Sequence, residues 1–182
     1  MKVLQLCLSV GRGGLELYVF RTYIELLKRK IDCIAVVKHD TFLQKLMSSE
    51  NLPSINLDRQ SHNFPLFSAR KLASIIDLDC IDIIHIHWGK DLFMASLAKR
   101  IASRRVKIVY TRQMTITSDK KDLYHRFVYG NVDLYISITD ELKRLAQSFL
   151  PMPAENVIRL YYGVKSPPEM SPQQRGTLRE SW

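Results

Sequence analysis

The chain has 182 residues, of which 46% are hydrophobic and 25% charged. This size and balance fit one globular domain burying roughly 70% of its unfolded surface, and exclude a largely disordered chain or one that depends on staples. The 27 Lys and Arg against 18 Asp and Glu give a formal charge of +9, which favours anionic partners.

Met1 to Val10 lacks the long apolar stretch and the small-residue cleavage site of a signal peptide. No apolar run approaches the ~20 residues of a membrane span, so the expected location is the cytoplasm. Val3 to Leu8 predicts a buried strand entering the turn Gly11-Arg12-Gly13-Gly14. A helix follows, with Leu15, Tyr18, Val19, Thr22, Tyr23, Leu26 and Leu27 inward and Glu16, Arg21, Glu25 and Lys28 outward. Cys33 to Val37 predicts a second strand, Thr41 to Ser49 a helix and Ser54 to Leu57 a short third strand. Phe67 to Ile76 reads as helix, Ile81 to His87 as strand and Asp91 to Ser103 as an apolar helix. Lys107 to Tyr110 predicts a fifth strand, Leu123 to Tyr129 a helix and Leu134 to Ile138 a sixth strand. Thr139 caps a helix with an apolar face of Leu142, Leu145, Ala146 and Phe149, and Val157 to Leu160 is a seventh strand.

Such alternation predicts an α/β fold: a doubly wound parallel sheet of about seven strands with helices on both faces. Residues 1–164 form this domain. Residues 165–182, with Pro167, Pro168 and Pro172, read as a linker leading toward a further domain, or as a frayed terminus. Cys7, Cys33 and Cys80 form no C-x-x-C pair and are expected to be small buried hydrophobes in a reducing compartment.

Three places carry candidate chemistry. The turn at Arg12, Gly13 and Gly14 stands where a helix amino terminus offers free N–H groups to an anion. It is not a complete dinucleotide fingerprint. Glu16 occupies the third position, and the second strand ends at Val37-Lys38 without a well-placed acid. His85 and His87 alternate onto one strand face, with His87 last and nearest the carboxyl edge, where open parallel sheets bind ligands. His85 suits a hydrogen-bonded core position, and no further ligands at metal spacing accompany the pair, so no metal is expected. Thr111-Arg112-Gln113 emerges at the same edge. Arg112 offers a planar fork to phosphate or carboxylate, and Gln113 a donor and an acceptor to sugar hydroxyls. No nucleophile, base and orienter assemble from spacing, and no Walker loop is present.

Four segments in this order resemble the amino-terminal domain of glycosyltransferase family 4. Gly13-Gly14-Leu15-Glu16 is similar to the family's Gly-Gly-x-Glu loop. Asp82 to Gly89 is similar to its Asp-hydrophobic-hydrophobic-His-x-His strand, and Val132 to Thr139 to its Asp-bearing strand ending in Ser or Thr. Val109-Tyr110-Thr111-Arg112-Gln113 falls where members often have Thr-x-His, so Gln113 stands at the usual His position. Val157 to Val164 is similar to the closing strand, with Tyr162 and Lys165 in place of the usual Asn and Asp around Gly163.

The resemblance implies one Rossmann-like half of a GT-B fold, receiving the acceptor, while a second domain holds the sugar nucleotide. It implies retaining transfer without a metal. It also implies no tightly bound cofactor, a nucleotide-sugar donor as substrate, and a cell-surface glycan or lipid-linked acceptor. Peripheral contact with an anionic inner membrane is a further implication. Arg12, Gly13, Gly14, Glu16, His87, Arg112 and Gln113 are the implied substrate-binding residues, with no catalytic residue assigned. The alternatives are a dinucleotide-binding oxidoreductase domain, a non-enzymatic anion-binding module, and a sugar-nucleotide epimerase sharing the architecture. No recognised nucleic-acid motif or stacking array supports a nucleic-acid partner.

Overall fold

The computed structural model describes residues 1–58, 65–163 and Ser171. Among these, seven strands pair in parallel: β1 (Lys2–Cys7), β2 (Asp32–Val37), β3 (Ser54–Asn56), β4 (Ile83–Ile86), β5 (Lys107–Arg112), β6 (Leu134–Ser137) and β7 (Val157–Arg159). Their order is β3-β2-β1-β4-β5-β6-β7. The direction of winding reverses between β1 and β4, which opens a crevice at their carboxyl ends.

The connecting helices are α1 (Gly14–Lys28), α2 (Phe42–Ser49), α3 (Leu66–Leu78), α4 (Leu92–Ile101), α5 (Leu123–Gly130) and α6 (Asp140–Phe149). Three begin where a side-chain oxygen accepts an orphan N–H. Thr41 accepts from Gln44, Asp122 from His125 and Thr139 from Leu142. The helices build two cores. Val19, Tyr23, Leu43 and Met47 pack on one face of β1 and β2. Leu72, Ile76, Met94, Ala95, Val128 and Ala146 pack on the other face, against Leu4, Leu6, Ile84, Ile108 and Tyr135. The expected doubly wound sheet with helices on both faces is therefore the observed fold.

Several local expectations need correction. Glu16 is only 2% exposed, because its carboxylate bends back onto the Gly13 N–H. Leu27 is 36% exposed. The chain leaves α1 on the side of Leu26, where the Ile31 N–H donates to the Leu26 carbonyl and Ile31 covers that flank instead. Cys80 is exposed, not buried, since it sits in the turn before β4 with a left-handed φ of 54°. Thr111 and Arg112 belong to β5 itself, pairing with Ile136 and Ser137 of β6. The expected linker at 165–182 lies outside the described residues apart from Ser171.

Candidate functional site at the carboxyl edge

The loop after β1 is held from three sides. Ser9 Oγ accepts the Gly11 N–H at 3.1 Å, Glu16 Oε2 accepts the Gly13 N–H at 2.8 Å, and Asp91 Oδ2 accepts the Leu8 N–H at 2.9 Å. Asp91 is buried at the start of α4, so this last bond ties the loop to the opposite side of the crevice. A Cβ on Gly11 would lie 2.8 Å from Glu16 Oε1, so any larger residue there would have to displace the carboxylate that holds the turn. Arg12, Gly13 and Gly14 remain exposed at the mouth. A buried carboxylate beside the amino end of α1 disfavours a pyrophosphate at that place, which counts against the dinucleotide alternative.

Below the loop lies a row of polar side chains on the face covered by α1. Gln5 on β1 hydrogen-bonds His87, and His85 Nε2 lies 2.8 Å from Thr111 Oγ1 on β5. The two imidazoles are 4.1 Å apart between ring centroids. Tyr18 of α1 meets His87 edge-on at 5.6 Å and Tyr162 at 4.9 Å. Burial holds His85 down at about 4. It holds His87 well below the usual histidine range, with the neighbouring His85 acting in the same direction. His85 is thus hydrogen-bonded as expected, in a partly buried position rather than a fully buried one. His87, expected to reach the crevice, is only 3% exposed, roofed by Tyr18.

At the end of β5, Arg112 donates from Nε to the Met114 carbonyl and from Nη2 to the Thr115 carbonyl, both at 2.8 Å. Its fork is turned onto its own loop. Gln113 is partly buried, and its Nε2 has no hydrogen-bond partner among the described residues. Past β7, Tyr161 donates to Asp140 at 2.9 Å and stacks under Arg159 at 4.1 Å. The structure therefore brings the Arg12 to Gly14 loop, His87, Arg112 and Gln113 to one edge, but leaves only Arg12, Gly13 and Gly14 fully open. Among the described residues no group of three His, Cys, Asp or Glu side chains is placed to hold a metal. No helix among them is long and apolar enough to cross a membrane.

The sequence profile of Glycosyltransferase Family 4 matches residues 12–166. The chain belongs to this family. No curated protein matches it. Its fold is similar to that of a Rickettsia africae glycosyltransferase, at 19% identity and a TM-score of 0.77, covering 99% of this chain and 48% of that one. It is also similar to HepE of Anabaena in complex with UDP, at 19% identity and a TM-score of 0.72, covering 100% and 50%. A third similar structure is the lipopolysaccharide outer core galactosyltransferase WaaB in its apo form, at 13% identity and a TM-score of 0.70, covering 90% and 46%. The chain spans about half the length of each, so it has the fold of one GT-B half.

Several residues that shape this family 4 site escaped the sequence reading. Gln5 is a lone polar residue inside an apolar stretch, and that isolation is the signal that it serves a buried partner, whereas Asp91 follows Lys90 at the polar start of an apolar helix and carries no such signal. Tyr18 reads as one more apolar position on α1, and nothing local announces its contact with Tyr162.

Proposed function

We propose that this chain is the acceptor-binding half of a retaining glycosyltransferase. That enzyme moves a sugar from a nucleotide-sugar donor to a cell-surface glycan or lipid-linked acceptor. The observation that carries the reading is the family match over residues 12–166 of a chain half as long as its structural relatives. In the reaction an acceptor hydroxyl oxygen forms a bond to the anomeric carbon, the bond from that carbon to the diphosphate oxygen breaks with its electron pair going to that oxygen, and the hydroxyl proton passes to the departing diphosphate. Arg12, Gly13, Gly14 and Gln113 bind and orient the acceptor hydroxyls. Glu16, Asp91, His85 and His87 lie behind them and keep the loops in place. Holding the hydroxyl in line supplies most of what this half contributes.

Residues 1–164 act as the acceptor-side domain, and 165–182 lead to the domain that grips the nucleotide. The complex of HepE with UDP makes a uridine diphosphate sugar the first donor to test. The chain alone does not transfer sugar and holds no cofactor tightly. We place the enzyme in the cytoplasm, with a peripheral contact to anionic membrane supported by the charge of +9. The test is a transfer assay with labelled sugar nucleotides and lipid-linked acceptors. Turnover is expected when the chain is joined to a nucleotide-binding second domain. None is expected from the chain alone.

A further inference from the structure

Arg112 looks, by its chemistry, like an anion receptor at the mouth of the site. Its surroundings assign it elsewhere. The side chain rises from the end of β5 on the face that carries Tyr110 and Tyr135. Two of its nitrogens are committed to the carbonyls of Met114 and Thr115, in the stretch that follows Gln113. Burial pushes the Tyr110 and Tyr129 hydroxyls above the usual tyrosine range, and the charge of the neighbouring Arg112 guanidinium acts in the opposite direction. Its Nη1 comes close to a second loop as well. A Cβ placed on Gly89 would lie 3.8 Å from Nη1 and 2.9 Å from the Tyr110 hydroxyl. Glycine at 89 therefore leaves room for the tyrosine and arginine to reach across from β5 to the turn between β4 and α4. Ile116, just past the bonded carbonyls, is buried in the larger core and anchors the far end of the segment.

We propose that Arg112 is a positioning residue: its planar fork fixes the Gln113–Thr115 segment against the Gly89 turn, and so sets where Gln113 faces the acceptor. This rests on the acceptor-site reading above, but its geometry can be tested without donor, acceptor or second domain. A planar guanidinium bonds two successive carbonyls while lying against tyrosine hydroxyls. A lysine ammonium carries the same charge but cannot span that arrangement. Lysine and glutamine should therefore fail alike at this position. At a residue that binds an anion by charge, lysine would substitute.

The experiment uses the 182-residue chain and its variants Arg112→Lys, Arg112→Gln and Gly89→Ala. Amide hydrogen exchange is read at Met114, Thr115 and Ile116, and the Gln113 side-chain amide is followed by NMR. Both Arg112 variants are expected to speed exchange in this segment by about tenfold or more, with α1 unchanged. The Gln113 amide signals should collapse toward free-amide positions. Gly89→Ala, which keeps the arginine and displaces Tyr110, should produce the same local pattern even if an Arg112 variant fails to fold. In the unmodified chain, inorganic phosphate should leave the Arg112 Nε resonance unmoved. Full protection in Arg112→Lys, or a saturable shift of Arg112 Nε with phosphate, would overturn the proposal while leaving the acceptor-site reading intact.

Discussion

Glu16 turns back along the first turn of α1 and its Oε2 accepts the Gly13 N–H at 2.8 Å. The carboxylate is buried beneath the turn that it closes. Replacing it by leucine leaves the Gly13 donor unpartnered and opens the loop. Glu16→Leu is expected to cost about 1–2 kcal/mol, within the range of a lost cap. Glu16→Gln, which keeps an accepting oxygen, should cost less. Urea unfolding of the two variants measures both values, and equal losses would contradict the hydrogen-bond assignment.

Tyr162 packs on Tyr18, which in turn covers His87. A close aromatic pair adds roughly 0.5–1.5 kcal/mol beyond simple burial. Tyr162→Ala loses that term together with the burial of the ring, so it should lower stability by at least about that much and raise the exposure of Tyr18 to solvent quenchers. Tyr162→Phe should do neither.

The histidine pair gives the fold a distinct pH response. Both imidazoles are held neutral by burial, His85 at about 4 and His87 well below the usual range. The unfolded chain therefore takes up protons that the folded chain refuses. Stability is fully present above the unfolded histidine value and is lost as pH falls below it. From pH 7 to 5 each buried histidine should remove about 2 kcal/mol. Asp77, Asp82 and Asp133 are held below the usual carboxylate range by backbone N–H donors and by Lys and Arg partners, though burial of Asp133 works the other way. Their losses come at lower pH and stay outside this window. His85→Gln should halve the slope of melting temperature against pH between 7 and 5. An unchanged slope would show that the imidazoles titrate freely.

The basic clumps are less free than the net charge suggests. Lys99 and Lys107 share Asp133, Arg104 pairs with Asp82, and Lys28 with Glu25. Each basic residue that reaches an anionic bilayer adds on the order of 1 kcal/mol. The chain should sediment with anionic vesicles at low salt and be released at high salt. Equal binding to neutral vesicles would contradict an electrostatic contact.

The order of elements was legible because hydrophobic periodicity and glycine turns are local signals. All seven strands of the described sheet and the six helices stand where that pattern puts them, with ends shifted by a few residues. Side-chain direction at the site was not legible. Whether Arg112 faces a ligand or its own loop depends on Tyr110, Tyr129 and the space left by Gly89, which are brought together only by folding. Glu16 reads as an outward acid by helical position and is drawn inward by a donor three residues earlier. His87 reads as the strand residue nearest the crevice, and the tyrosine above it comes from another element.

Calorimetric titration of the 182-residue chain with UDP-glucose and other UDP- and GDP-sugars tests most directly whether this domain is the acceptor-side half. This domain closes the amino end of α1 with its own carboxylate, that of Glu16. Nucleotide-sugar binding is therefore expected to be weak, with a Kd no tighter than about 1 mM. Saturable binding in the micromolar range would contradict the assignment and place the donor site on this chain.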